Sequence, residues 1–206
     1  VANAIFFNGG QVCVAGSRLI VHKSIADQLI EGVAKYGREM VMGHGLDPKT
    51  QMGPLVAKSH AESVKKYVDD AVSVGAVLIS GGHLLGSSGC YMEPTIVGSV
   101  EQDMTIFQDE VFGPVLTVSV FEDDEQALVL ANDSNYGLAA SIWTEGLANT
   151  HRIADSINAG TVWVNSHLMF DSALPIGGWK QSGWGKESGH QAVSNYLKDK
   201  TITAII

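Results

Sequence analysis

Helical and strand periodicities alternate along most of this chain, and that alternation restricts it to layered α/β architectures. Residues 24–42 place Ile25, Leu29, Ile30, Val33, Ala34 and Met40 near one helical stripe, and Ser24 followed by Asp27 has the form of a capping box. A second amphipathic stretch starts at Ser59 with Glu62 three residues on, carries Val64, Val68, Ala71 and Val72, and stops at Gly75. Residues 76–80 read as a short buried strand closed by Gly81 and Gly82. Residues 116–121 read as another strand, followed by a helix opening on Asp123 and Asp124, where carboxylates favour the dipole. A strand at 139–144, a helix near 149–157 and a strand at 161–165 continue the pattern. The fold expected is α/β, with a largely parallel sheet flanked by helices.

Three stretches depart from the alternation. Residues 81–90 are rich in Gly and Ser and read as a solvated connection. Residues 171–189 hold five glycines around Trp179 and Trp184, the composition of a long loop wrapping another surface. The closing TITAII is β-branched and reads as a terminal strand with no downstream hairpin partner, an edge that something must cover. The chain opens on Val1 and runs straight into apolar, glycine-rich sequence, so a piece of a longer protein is expected.

Charge narrows the function. Thirteen Lys and Arg against 22 Asp and Glu give a net charge of −9, which argues against nucleic acid and anionic membrane surfaces as partners. No apolar run approaches the roughly 20 residues that span a bilayer. Two cysteines, Cys13 and Cys90, are too few for a disulfide framework and read as free thiols in a reducing, cytoplasmic setting. The seven histidines show no HExxH-type spacing, so no metal site is expected. Gly183, Gly185 and Gly189 miss the dinucleotide fingerprint by one residue and follow no strand, and no GxSxG element is present.

Two positions carry possible chemistry. Cys13 sits in FFNGGQVCVAGSR, where Gly9, Gly10 and Gly16 allow backbone N–H groups to approach a bound oxygen and a thiolate could attack a carbonyl carbon. A small buried thiol beside a tight turn explains the same local features. Glu110, in QDEVFGPVL, precedes Phe112 and a rigid turn; it could hold ligand hydroxyls while the ring packs on a flat heterocycle, or be a solvated turn carboxylate. Phe170, Trp179 and Trp184 could stack a ligand, but such aromatics more often pin a loop to the core.

The motifs FFNGGQVCVAGSR, QDEVFGPVL, NYGLAASIWT, AGTVWVN and LPIGGWKQSGWGKESG, in this order and at these intervals, resemble the catalytic domain and C-terminal tail of the NAD(P)-dependent aldehyde dehydrogenase superfamily, over essentially all 206 residues. The resemblance implies that Cys13 attacks an aldehyde carbon and that its backbone N–H forms half of an oxyanion hole. Loss of hydride to NAD or NADP then leaves a thioester that water releases as an acid. It assigns Glu110 and Phe112 to the nicotinamide ribose, Asn165 to support of the active-site wall, and Phe7, Val12, Val14, Leu168, Phe170 and Ile176 to the aldehyde tunnel. Family members often have Gln at position 9, Phe at 176 and Arg at 186; Gly9, Ile176 and Lys186 stand here and bear on pocket shape. The family's general-base glutamate, oxyanion asparagine and cofactor-binding domain have no counterpart in these residues, so the 206 residues alone are expected to be inactive.

The resemblance also implies a catalytic domain over 1–180, a tail and oligomerisation strand over 181–206, and a homo-dimer or homo-tetramer. The tunnel candidates include no Arg or Lys to pair a substrate carboxylate, which favours medium-chain or aromatic aldehydes. MFDSALP is similar to arylacetaldehyde dehydrogenases. Alternatives are transfer of the acyl group to coenzyme A, a cysteine hydrolase, for which no histidine is placed by a motif, and a non-catalytic assembly domain.

Overall fold

The computed structural model describes residues 1–86 and 89–206, so Ser87 and Ser88 of the Gly/Ser-rich connection lie outside the described residues. The chain runs through α1 (Ala2–Phe6), β1 (Arg18–His22), α2 (Ala26–Glu39), α3 (Lys58–Ser73), β2 (Val77–Ser80), β3 (Leu84–Leu85), β4 (Tyr91–Met92), β5 (Thr95–Gly98) and α4 (Thr105–Gln108). It continues through β6 (Val115–Phe121), α5 (Asp124–Asn132), β7 (Tyr136–Gly137), β8 (Ala139–Ile142), α6 (Leu147–Ser156), β9 (Thr161–Val164) and β10 (Trp179–Lys180). These elements form two units, Val1–Ser134 and Asn135–Ile206, and the boundary expected near residue 180 falls inside the second.

In the first unit, one sheet has the order β1-β6-β5-β2, with β1, β6 and β5 parallel and β2 antiparallel to β5. Central parallel strands are covered on both faces, and their sequences are correspondingly apolar. Alternation sends neighbouring residues to opposite sides. Val97 and Val115 join Val64, Val68 and Phe107 under α3 and α4. Ile96, Leu116 and Val118 join Ile5, Phe6, Val33 and Ala34 from α1 and α2. Arg18, at the start of β1, reaches the C-terminal end of α5, where its guanidinium donates to the carbonyls of Leu130 (3.1 Å) and Ala131 (2.9 Å) and lies 4.9 Å from the Phe107 ring centroid. Carbonyls left unpaired at a helix end are thereby satisfied by a cation. Burial pulls the Arg18 pKa below its ordinary value, partly offset by Asp133.

Several local expectations change. Helix α2 begins at Ala26 without a side-chain cap, because Ser24 is engaged elsewhere: its hydroxyl and its N–H both meet His22 Nδ1, at 2.7 and 3.2 Å. Strand β2 is not buried; Val77, Leu78 and Ile79 are 52%, 37% and 38% exposed, since β2 is the sheet edge. The 81–90 connection contributes β3 to a short antiparallel ladder with β4 just beyond it, Leu84 with Met92 and Leu85 with Tyr91. TITAII forms no strand, as the described residues offer it no partner, and Ile205 is 99% exposed. The stop at Gly75 stands, with φ +113°, and its N–H donates to Val72 O.

The second unit is built on a β–α–β crossover in which β8 and β9 pair in parallel around α6. Its glycine-rich 171–189 segment is tied down by Trp179–Lys180 pairing with Tyr136–Gly137 and by reciprocal 2.7 Å bonds between Ile176 and Glu187. Trp184 does not anchor it, being 94% exposed. Lys186 Nζ donates to the carbonyls of Gly177 and Gly178, at 3.2 and 3.3 Å.

Helix α5 starts as its sequence indicates. Asp123 accepts from Gln126 N–H at 2.9 Å, and Gln126 Oε1 accepts from Glu122 N–H at 2.9 Å. Asp123→Ala should therefore lower stability by about 1 kcal/mol, read as a lower urea midpoint at unchanged slope. Asp123→Ser should retain most of that stability, and an alanine variant as stable as the parent would show that the cap contributes nothing.

Candidate active site

The loop carrying Cys13 leaves the core at Phe6, which is fully buried, and turns at once. Asn8, Gly9 and Gly10 have φ values of +51°, +63° and +71°, three consecutive left-handed residues. Asparagine and glycine tolerate that region where other residues are strained. Asn8 and Gln11 lock the turn reciprocally: Asn8 Nδ2 donates to Gln11 O at 3.1 Å and Gln11 Nε2 to Asn8 O at 3.2 Å. Gln11 Oε1 also accepts from Val56 N–H at 2.9 Å, tying the turn to the segment before α3. A second turn then closes through Ala15 N–H to Val12 O at 2.8 Å, and Gly16 N–H donates to Ala4 O at 3.0 Å.

Cys13 stands inside that second turn and is exposed, which removes the buried-thiol reading of its motif. Its backbone N–H makes no hydrogen bond among the described residues. Phe7 is exposed, Val12 half-buried and Val14 buried.

The second element is the turn at residues 110–114. Glu110 and Phe112 are exposed, while Val111, Gly113 and Pro114 are buried, so an exposed carboxylate and ring are carried on a seated backbone. Phe112 has φ +55°, a left-handed conformation that is strained for an aromatic residue and persists only when its surroundings hold it. Two contacts do so. His60 Nε2–H donates to Phe112 O at 2.8 Å, with the imidazole edge-on to the phenyl ring at 6.4 Å between centroids. Gly113 is pressed against α3, where an added Cβ would meet Val64 Cγ1 at 2.6 Å.

The two elements meet backbone to backbone. A Cβ on Gly10 would fall 2.0 Å from Gly113 O and 2.9 Å from Pro114 N. The structure thus brings the Cys13 loop against the turn that bears Glu110 and Phe112. His60 and Gln11 are contributors that the sequence reading missed. The available signal was the helical spacing that puts His60 on the face of Val64, which has meaning only once the turn is known to lie there.

The other candidates belong to the second unit. Asn165, φ +50°, clamps Thr144 from both sides, with Oδ1 accepting from its N–H at 2.9 Å and Nδ2 donating to its carbonyl at 2.8 Å. It thereby ties the end of β9 to the residues following β8. Leu168, φ +59°, and Ile176 are half-buried, and Phe170 is exposed. Among the described residues, no three His, Cys, Asp or Glu side chains come together as a metal-binding group, and no helix is long and apolar enough to cross a membrane.

A family model described as "Aldehyde dehydrogenase family" matches residues 1–202. The chain is 45% identical over 203 residues to phenylacetaldehyde dehydrogenase of Pseudomonas fluorescens, covering 98% of this chain and 40% of that protein. It is 44% identical over 200 residues to the putative aldehyde dehydrogenase DhaS of Bacillus subtilis, with 97% and 40% coverage. The NAD+ complex of an aldehyde dehydrogenase from Bacillus cereus superposes with a TM-score of 0.93 at 39% identity, over 95% of this chain and 40% of that one. The α/β fold is thus shared with solved aldehyde dehydrogenases, and the chain spans about 40% of the length of the relatives it matches. With its Cys13 loop and the Glu110–Phe112 turn seated together, and with the family model matching from its first residue to residue 202, the chain belongs to the aldehyde dehydrogenase family.

Proposed function

We propose that the full-length protein containing these residues oxidises an aldehyde to a carboxylic acid, with Cys13 as nucleophile. The observation that carries this reading is the exposed Cys13 on a loop locked against the Glu110–Phe112 turn. The Cys13 thiolate adds to the aldehyde carbon, moving the carbonyl π electrons onto oxygen, and the free Cys13 N–H donates to that oxyanion. Glu110 and Phe112 would hold a nicotinamide dinucleotide, which would supply the hydride acceptor for this carbon. With hydride given up and the C=O re-formed, this carbon would stand as a thioester on Cys13. Water then adds and expels the thiolate, giving the acid; this step needs a base in reach of the water, for which no residue here is assigned.

The turn fits such a cofactor. Glu110 is an exposed acceptor for two ribose hydroxyls, and the left-handed Phe112 presents an apolar ring two residues away. Solved relatives are described as NAD+ complexes, which favours NAD over NADP as the cofactor here. Phe7, Val12, Val14, Leu168, Phe170 and Ile176 are proposed as aldehyde contacts and Asn165 as support. Their lack of a cationic side chain, with the similarity to phenylacetaldehyde dehydrogenase, favours aromatic or medium-chain aldehydes over semialdehyde acids.

In the full-length enzyme, Cys13→Ala should abolish aldehyde oxidation, while Cys90→Ala leaves it intact; substantial turnover by the first variant would remove Cys13 from the mechanism. Glu110→Gln should raise the KM for NAD and slow hydride transfer by about 10- to 100-fold, while attack by Cys13 stays fast. Single-turnover kinetics separates these steps, and a variant slow only in thioester hydrolysis would make Glu110 a general base instead.

We also propose a homo-dimer or homo-tetramer, in which the exposed Ile202, Ile205 and Ile206 are covered by pairing with another subunit. Removing residues 199–206 should lower the mass seen by light scattering, and an unchanged mass would contradict this.

A further inference from the structure

Trp163 lies on β9 directly opposite Ser141 of β8 and is 7% exposed. The segment after β9 closes around its indole. Trp163 Nε1–H donates to Met169 O at 2.7 Å. The His167 ring stands edge-on to it at 5.0 Å between centroids, and the Phe170 ring at 5.5 Å with an interplanar angle of 89°. His167 Nδ1 is hydrogen-bonded to Ser141 Oγ at 2.7 Å, the residue across the strand pair from Trp163 itself. The segment also contains two non-glycine left-handed residues, Asn165 and Leu168. Such conformations persist where the surroundings over-determine them, and here one indole contacts three of the four residues from His167 to Phe170.

Burial of the indole leaves Met169 and Phe170 as the outward part of the segment, 69% and 53% exposed. Their placement depends on a side chain that sits beneath them, in a strand.

We infer that Trp163 is a specificity-positioning residue: by holding the 165–170 segment it fixes Leu168, Met169 and Phe170 as an apolar surface for the ring of an aryl-substituted aldehyde. This rests on the proposed aldehyde oxidation. Trp163→Phe keeps an aromatic ring in the strand but removes the one N–H that ties down Met169 O. Losing a buried hydrogen bond of this kind corresponds to about a tenfold effect on an equilibrium.

The experiment uses the full-length enzyme. Trp163→Phe should raise the KM for phenylacetaldehyde about tenfold, leaving the KM for NAD and the kcat with acetaldehyde near the parent values. Hydrogen exchange across residues 165–171 should accelerate in the same variant and not in a Trp179→Phe control. Ser141→Ala, which releases only His167, should show a smaller change of the same kind and serves if Trp163→Phe does not fold. Unchanged exchange in the segment would overturn the inference, whatever the activity. Faster exchange with phenylacetaldehyde and acetaldehyde affected equally would also overturn it, as a general loss of stability. A parent enzyme that oxidises no aldehyde would instead defeat the proposed function, and the specificity role with it, while the exchange data would still decide whether Trp163 holds the segment.

Discussion

The backbone contact between Gly10 and Gly113 is the constraint on which the rest of the candidate site depends. Neither position has room for a Cβ: one added to Gly10 would overlap the Gly113 carbonyl, and one added to Gly113 would overlap Val64. The Cys13 loop and the Glu110–Phe112 turn are thus stacked at backbone distance, and the Val64 side chain of α3 packs directly against Gly113. Between the loop and the turn no side chain intervenes to let the spacing drift, and the geometry of a reactive site is sensitive to small shifts. Gln11 and His60 then act as crossties, one from the loop to Val56 and one from α3 to the Phe112 carbonyl.

The sheet beneath supplies rigidity. Its parallel core strands are covered by α1 and α2 on one face and α3 and α4 on the other, so the Cys13 loop, which leads into β1, and the Glu110–Phe112 turn, which leads into β6, are attached to adjacent, hydrogen-bonded strands. Ser17 O accepts from both the N–H and the hydroxyl of Thr117, which secures that junction just before β1 begins. Arg18 adds a polar fastening from the same strand to the end of α5.

What the sequence disclosed, and what it did not, follows from the range of the interactions involved. Signals confined to a few residues were legible: the acidic start of α5 at Asp123, the stop at Gly75 and the motif around Cys13. Signals that depend on what else is nearby were not. Ser24 has the composition of a cap but lies within reach of His22, which takes its hydroxyl. Val77 to Ile79 are apolar enough for a central strand yet lie at an edge, because sheet order is not written in any one strand. Trp184 looks like an anchor and is exposed, whereas Trp163, unremarked inside AGTVWVN, holds a whole segment. His60 was invisible for the same reason, since its partner lies 52 residues away.

The parallel pairing of β1 with β6 has a consequence for the nascent chain. Ser17 and Thr117 are 100 residues apart in sequence, and a strand cannot pair with one that has yet to be made. At ribosomal rates of about 5–20 residues per second, the segment around Cys13 waits on the order of 5–20 s before β6 exists to seat it. Throughout that interval the loop bearing its thiol lacks the contacts that β6 and the 110–114 turn supply in the folded chain. The order of synthesis, rather than the folded geometry, therefore sets how long this free cysteine goes without the turn that its loop packs against.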